Sequence, residues 1–124
     1  MKNTLSAVTL FIAGFFVMPT SADVVAVTTI DTHGNTAAYL EALEPLMARL
    51  EELNPDAEIE VFRATLAGPA VDLIYVIVRV ESVAAYGELT ENDEGDAEYQ
   101  RRLRVLEATG RTLESRSLLT EVSF

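Results

Sequence analysis

The stretch from Val71 to Glu81, VDLIYVIVRVE, constrains the fold of this chain more than any other segment. It is a long, nearly uninterrupted apolar run rich in β-branched residues. Such a run is typical of a β-strand that is buried on both faces. The rest of the chain must therefore supply a covering layer for each face of one central strand.

The remaining segments predict three further strands and two helical regions. Short β-branched or alternating runs predict strands at Val24 to Ile30, Ala57 to Ala67 and Thr112 to Val122. From Thr36 to Leu53, apolar residues recur every three or four positions, which indicates an amphipathic helix. A second helical region follows Ser82, is interrupted at Asn92 to Asp96, and ends at Gly110.

Three residues mark the ends and the irregularities of these helices. Asn35 is a suitable N-cap for the first helix, because its side chain can accept a hydrogen bond from a free backbone amide. Ser82 is predicted to cap the second helical region in the same way. Pro45 lies inside the first helix and predicts a kink or a division there.

The order β-α-β-β-α-β predicts an α+β, ferredoxin-like fold with a four-stranded antiparallel sheet and two helices on one face. Right-handed crossovers place the first and third strands in the middle of the sheet. The composition agrees with this arrangement, because the third strand is the most apolar of the four.

Two helices cover only one face of such a sheet, and this predicts a partner. Alternate residues of the third strand point to opposite faces, so Ile74 and Val76 can face the helices while Tyr75 and Ile77 face away. An uncovered apolar face of this size is rare in monomers. The sequence therefore predicts a homodimer whose two sheets pack face to face into an α/β barrel around a partly polar cavity.

The N-terminal segment has the pattern of a secretory signal peptide. Lys2 is followed by an apolar region from Leu5 to Met18 and by small residues that predict cleavage after Ala22. The alternative is an uncleaved anchor, although the apolar run is shorter than the ~18 residues that a span needs. We expect a signal peptide at residues 1–22, a single domain at residues 23–124, and location in the periplasm or outside the cell.

The charge balance excludes two classes of partner. Lys2 is the only lysine, so its removal leaves eight arginines against 20 acidic residues and changes the net charge from −11 to −12. Nucleic acids and anionic membranes are bound through basic surfaces. A chain with so few arginines against so many acidic residues is not expected to form such a surface. After cleavage no second segment is apolar enough to suggest a membrane span.

Several phrases of this sequence resemble a known superfamily. They are GNTAAYL at the start of the first helix, the Ala67-Gly68 turn before the apolar strand, the passage from Glu81 to Tyr86, the Glu91-Asn92-Asp93 break and the final SLLTEV strand. Over essentially all of residues 23–124 the chain resembles the dimeric α/β-barrel superfamily, which includes antibiotic-biosynthesis monooxygenase, NIPSNAP and EthD-like proteins. Some of its secreted bacterial members have no assigned activity, so the resemblance implies a fold more than a reaction.

Five residues are candidates for a site. His33, the only histidine, is either a general base at the mouth of the barrel or a loop residue beside a turn glycine. Tyr75 and Arg79 share a face of the third strand, and Arg63 on the neighbouring strand could enter the same cavity. Together they would suit a carboxylate or an enolic ligand. The alternative for the arginines is pairing with acidic residues at the rim. Tyr86 is a candidate ligand-binding residue, although its helical spacing also fits core packing.

The sequence predicts no metal site and no cofactor. The run from Glu91 to Asp96 is acidic, but it lacks the ligand spacing and the final glutamate of an EF-hand calcium loop, which favours a solvated helix break. No Gly-rich phosphate loop and no nucleophile elbow occurs.

Two functions remain open from the sequence. One is a small-molecule-binding or interaction module that is a periplasmic or secreted homodimer. The other, implied by the resemblance, is a cofactor-independent monooxygenase-like enzyme that acts on a small aromatic or polyketide-like substrate. A roomy pocket that contains His33 or Arg79 with a shifted pKa would favour the enzyme, whereas a packed interior would contradict it.

Overall fold

The structure, a computed structural model, describes residues 23–65, 68 and 72–124. The predicted signal peptide at residues 1–22 lies outside the described residues, so it stays a prediction. The elements are β1 Val24–Asp31, α1 Thr36–Leu53, β2 Glu58–Arg63, β3 Leu73–Val80, α2 Val83–Glu94, α3 Ala97–Glu107 and β4 Thr112–Thr120. Among the described residues, none of the helices has the length and apolar character needed to cross a bilayer.

The four strands form one antiparallel sheet in the order β2-β3-β1-β4. The predicted ferredoxin-like arrangement, with the first and third strands in the middle, is confirmed. Val24 lies opposite Val80 and Ile30 lies opposite Ile74, so β1 and β3 pair over their whole length. The most apolar strand is therefore central, as its composition predicted.

Burial along β3 alternates strictly and separates the two faces of the sheet. Ile74 is 0% exposed, and Val76, Val78 and Val80 are also buried beneath the helices. The alternate residues of β3, among them Tyr75, are only partly buried. Burying one face against helices supplies most of the core, since each large apolar side chain removed from water contributes about 2 kcal/mol.

The helix α1 is continuous, so Pro45 does not divide it. Its inner stripe includes Tyr39, Leu43 and Leu50, which are buried against the sheet. The predicted side-chain cap by Asn35 is wrong. Asn35 occupies the N-cap position, but its Nδ2 donates instead to the carbonyl of Thr109 at 3.4 Å.

The second helical region consists of two helices, so three helices cover the sheet rather than the two predicted. Ser82 caps α2 as expected, because its Oγ accepts from the amide of Ala85 at 3.0 Å. The break falls at Gly95 and Asp96, three residues later than its predicted start, and Asp96 caps α3 by accepting from the amide of Tyr99 at 2.8 Å. Because α2 runs through Asp93, that side chain lies on the inner face of the helix and is buried.

The last strand, β4, lies at an edge and is covered by no helix over most of its length. All of its residues are exposed, including Leu113, Leu118 and Leu119 at 43%, 46% and 53%. A register shift between Thr29 and Ile30 interrupts its pairing with β1. Space consequently remains between the helices and this side of the sheet.

Candidate functional site

A cavity of about 320 Å³ lies between the helices and the helix-facing side of the sheet. The sheet contributes Ala26, Thr28, Val76 and residues of the uncovered strand β4, and all three helices contribute side chains to the walls. The cavity is partly open to solvent at its edge. Its volume falls at the lower end of the ~300–1,000 Å³ range of small-molecule sites.

The lining combines an apolar interior with an unusual number of polar groups. Leucines of the three helices form much of the interior, including Leu43, Leu89 and Leu106. The polar and phenolic lining residues are Thr28, Tyr39, Tyr86, Thr90, Asp93, Glu94, Tyr99, Gln100, Glu107, Arg111 and Arg116. Apolar walls with a few convergent polar groups are typical of ligand sites.

Asp93 is the most perturbed acid in this cavity. Its residue is 6% exposed, and its Oδ1 accepts a hydrogen bond of 3.0 Å from Nδ2 of Asn54. Burial raises the pKa of Asp93 to about 6, with a smaller upward contribution from Asp96, while the bond from Asn54 acts in the opposite direction. Its position in the last turn of α2, where the helix dipole is negative, also disfavours the charged form. Asp93 can therefore accept or donate a proton near neutral pH.

Tyr99 lies at the meeting point of the two buried clusters that form the core. Burial raises the pKa of its phenol to about 12, and the negative charge of Asp93 adds to the shift, while Arg116 and Arg111 act in the opposite direction. Tyr99 is therefore a neutral hydroxyl at pH 7, able to donate a hydrogen bond into the cavity.

Arg111 also lines the cavity and lies beside Tyr39. Its side chain is only 15% exposed, and its Nη2 lies 3.7 Å from Oε2 of Glu107, beyond good hydrogen-bonding distance. Its Nε is buried and has no hydrogen-bond partner among the described residues. The positive charge lowers the pKa of Tyr39, against the larger upward effect of burial, which places the guanidinium near that phenol.

No protein-family model matches this chain, and no curated protein is significantly similar to it. Solved structures do match. A NIPSNAP family protein from Agrobacterium tumefaciens has a TM-score of 0.69 at 14% identity, covering 88% of this chain and 94% of its own. SnoaB, a cofactor-independent oxygenase from Streptomyces nogalater, has a TM-score of 0.64 at 15% identity, covering 83% and 96%. A predicted antibiotic biosynthesis monooxygenase from Caulobacter crescentus has a TM-score of 0.60 at 13% identity, covering 83% and 92%.

The chain has the ferredoxin-like fold of NIPSNAP and antibiotic-biosynthesis monooxygenase proteins. The structural resemblance predicted from the sequence is thus confirmed. At identities of 13–15% the match establishes the fold and leaves the reaction to the residues of the site.

His33 lies outside the cavity, in the turn between β1 and α1. Its side chain is 50% exposed, its Nε2 is 2.6 Å from Oγ1 of Thr112, and its Nδ1 is 3.6 Å from Oδ1 of Asp31. Its backbone has a φ of 54°, in the left-handed region that is uncommon for residues other than glycine. Of the two interpretations of this histidine, the geometry agrees with the loop residue that ties the turn to β4.

Tyr75 and Arg79 lie on the face of the sheet that points away from the helices and therefore away from the cavity. Arg79 is 3.8 Å from carboxylate oxygens of both Asp23 and Glu58. All three of these charged side chains are at least 40% exposed, so the pairs are weak contacts at the edge of that face.

The assignment of Arg63 to the same cavity as Arg79 is wrong. Arg63 lies directly opposite Ile74, whereas Arg79 lies opposite Glu58. Since Ile74 and Arg79 differ in strand parity, the two arginines are on opposite faces of the sheet. Arg63 is exposed at the end of β2 and does not line the cavity. Tyr86 is the one candidate that does line it.

The sequence reasoning missed Asp93, Arg111 and Arg116. A signal for Asp93 was present, because Tyr86, Leu89 and Asp93 follow helical spacing once α2 is continued through the acidic run. Arg111 follows Gly110, where the second helical region was predicted to end, and no spacing pattern in the sequence marks it as a site residue; the helix in fact ends at Glu107. Among the described residues, no group of three histidine, cysteine or acidic side chains converges in a way that could hold a metal ion.

Proposed function

We propose that this chain is a secreted or periplasmic homodimer that binds a small molecule in the cavity between its helices and its sheet. The observation that carries this proposal is the position of Asp93 and Tyr99 on one partly open cavity. A carboxyl held at a pKa of about 6 by burial is costly to a fold. Such groups cluster at functional sites, and this one faces open space rather than a paired cation.

The cavity favours small-molecule binding over a pure interaction module. An interaction module has no need of an internal space, and its interior would be filled by side chains. Here the space adjoins the buried Tyr39 and Leu106 and the polar groups of α2 and β4. A ligand with an apolar body and a polar group would be complementary to both parts.

The homodimer is supported by the open face of the sheet. The residues on this face include Val25, Val27, Phe62, Leu73, Tyr75, Ile77 and Leu119, as their registers place them opposite one another. Phe62 and Leu119 are 51% and 53% exposed. A second copy that presents the same face would bury these side chains with two-fold symmetry. The polar rim at Arg79 and Glu58 would then mark the edge of the contact.

Export is supported by the pattern of residues 1–22 described above. The test is the mass of the protein recovered from the periplasmic fraction and from the medium. We expect a polypeptide beginning at Asp23, and replacement of Ala22 by arginine should leave the leader attached. A full-length product confined to the cytoplasm in the wild-type chain would contradict this part of the proposal.

The binding proposal is tested by native mass spectrometry of the purified protein, followed by identification of any small molecule released on denaturation. We expect a dimer with at most one small molecule in each subunit. Leu103→Trp, which adds a large side chain to the cavity wall, should abolish that occupancy. Val105→Trp on the outer side of the same helix is the matched control, since Val105 is 52% exposed and does not line the cavity. Equal occupancy in both variants would contradict a site in this cavity.

A second candidate, cofactor-independent oxygenation, is favoured specifically by the basicity of Asp93. Its carboxylate would accept a proton from an enolisable aromatic substrate, and molecular oxygen would oxidise the resulting carbanion. A ring methylene would become a carbonyl, with one oxygen atom in the product and the other in water. Oxygen uptake with anthrone, corrected for its spontaneous oxidation, tests this. The rate should fall by about 10²-fold or more in Asp93→Asn and stay unchanged in Glu91→Gln, an exposed change on the same helix.

A further inference from the structure

Arg111 is a nearly buried cation whose bonding is incomplete within the described chain. Five N–H groups of an arginine can donate, and burial removes the water that would otherwise accept from them. Its Nε has no acceptor among the described residues. The nearest paired carboxylate, Glu107, is at 3.7 Å and is itself 55% exposed, so it keeps most of its hydration.

The surroundings of Arg111 show where the missing acceptor would lie. Arg111 and Arg116 both line the cavity, and both lower the pKa of Tyr99. The β4 side of the cavity therefore carries two arginines against one carboxylate, Glu107, and is positively charged on balance. Asp93 and Glu94 line the α2 side.

The wall between these two sides is apolar. Leu43, Leu103 and Leu106 line it, and Tyr39 closes the end beside Arg111 with only 1% of its surface exposed. A ligand that reached the guanidinium would place its remaining atoms against these side chains. A carboxylate matches the forked N–H groups of arginine in two parallel hydrogen bonds, which a neutral amide cannot do.

We propose that the ligand of this cavity is a small organic carboxylate, held at its anionic end by Arg111 and along its apolar body by the leucines of α1 and α3. This inference rests on the proposed binding function and specifies the ligand class. Arg111 is thus the residue that determines specificity, and Arg116 adds positive charge to the same side.

The test uses the mature chain, residues 23–124, and two probes of the same shape, benzoate and the neutral benzamide, with binding measured by calorimetry. We expect benzoate to bind at least about ten-fold more tightly than benzamide. Arg111→Gln should remove this preference and leave the affinity for benzamide unchanged, which also shows that the variant is folded. Arg111→Lys keeps the positive charge but loses the paired N–H groups of the guanidinium, and it should retain part of the preference for benzoate over benzamide. Arg104→Gln makes the same charge change on the exposed side of α3 and should have no effect.

The outcomes separate the two proposals. Equal binding of benzoate and benzamide, or unchanged preference in Arg111→Gln, overturns the carboxylate inference. If both probes bind and Leu103→Trp excludes both, the cavity is still a binding site and only the ligand class is wrong. If neither probe binds the wild-type protein, the carboxylate inference is overturned. Native mass spectrometry of the wild type and of Leu103→Trp then decides whether the cavity binds any small molecule.

Discussion

The side-chain amide of Asn54 donates to the buried carboxyl of Asp93 across 3.0 Å, and so joins the end of α1 to the end of α2. The same amide also donates to the carbonyl of Leu50 at 3.0 Å, while its oxygen accepts from Asn92. Asn54 therefore uses both of its amide hydrogens and its oxygen to fix the junction of α1 and α2, where Asp93 lies. The link positions Asp93 without neutralising it, because an amide supplies no opposite charge.

Asp93 should make the protein less stable as the pH rises. Its pKa is raised from 3.8 to about 6 on folding, so the native state holds a proton that the unfolded chain has lost. The stabilisation from this proton is complete below pH about 4 and disappears as the pH rises through about 6. Asp93→Asn keeps an acceptor for Asn54 and avoids the buried charge. We expect its free energy of unfolding to exceed that of the wild type by about 3 kcal/mol at pH ~8 and by little at pH ~4.

Urea denaturation at a series of pH values measures this difference. Glu91→Gln is the control, because it removes an exposed carboxylate from the same helix. A stability difference between wild type and Asp93→Asn that is independent of pH would contradict the raised pKa. If Asp93→Asn is more stable than the wild type but no longer binds the ligand, Asp93 is a residue retained for function at the expense of stability.

Asp96 has two roles that can be separated by substitution. Arg49 donates to it from Nε at 2.9 Å and from Nη2 at 2.7 Å, and these bonds with the cap to Tyr99 lower the pKa of Asp96 to about 2. Asp96→Ala loses the cap and the tie between α1 and α3, so it should destabilise more than Ser82→Ala, which loses a single cap worth about 1 kcal/mol. Asp96→Asn keeps the cap and should fall between the wild type and Asp96→Ala. Thermal denaturation ranks the three variants, and equal losses in Asp96→Ala and Ser82→Ala would show that the tie contributes nothing.

Two isoleucines of β3 should respond differently to truncation because they lie on opposite faces. Ile74 is 0% exposed beneath the helices, so Ile74→Ala should lower the free energy of unfolding by about 3–4 kcal/mol at any protein concentration. Ile77 lies on the open face, where the proposed partner packs. Ile77→Ala should therefore weaken dimerisation, and its stability loss should depend on protein concentration. Sedimentation equilibrium checks this, and a wild-type monomer would refute the proposed dimer.

His33 should prove to be a structural residue of its turn. His33→Ala retains the strained backbone at a φ of 54° and loses the 2.6 Å bond to Thr112, so a loss of about 1 kcal/mol is expected. His33→Gly loses the same bond but relieves the strain, and should be the more stable of the two. Both variants should bind ligand as the wild type does. A loss of binding in both would restore His33 as a site residue.

The fold was predictable because its main determinant is local. The alternation within the eleven residues from Val71 to Glu81 is enough to place Ile74 and Val76 on one face of β3 and Tyr75 and Ile77 on the other. The topology then follows from the order of the elements. The cap at Ser82 was equally local and is confirmed. The side chain of Asn35 makes no cap; its Nδ2 is instead oriented by a tertiary acceptor, the carbonyl of Thr109, which the local sequence does not reveal.

The site was not predictable in the same way, because its residues converge from distant segments. Asp93, Tyr99 and Arg111 come from α2, α3 and the loop before β4, and no single period connects them. Asp93 was assigned to a solvated helix break because it lies in the acidic run from Glu91 to Asp96, and a run of charged residues usually marks such a break. Only the continuation of α2 to Glu94 turns this side chain inward. The pairing of Arg63 with Ile74 likewise depends on register, which a single sequence does not specify.

The pairing of β1 with β4 also has a consequence for how the chain folds. Val24 lies opposite Thr120, so the central strand obtains its second neighbour from the far end of the described sequence. Contacts at such long sequence separation give a high contact order and slow folding relative to helical domains. A nascent chain can assemble β1, β2, β3 and the helices, yet one side of β1 stays unpaired until β4 has been synthesised. If the chain is exported as proposed, this late completion of the sheet would keep it incompletely folded, and so able to pass through a translocon, until its last strand is made.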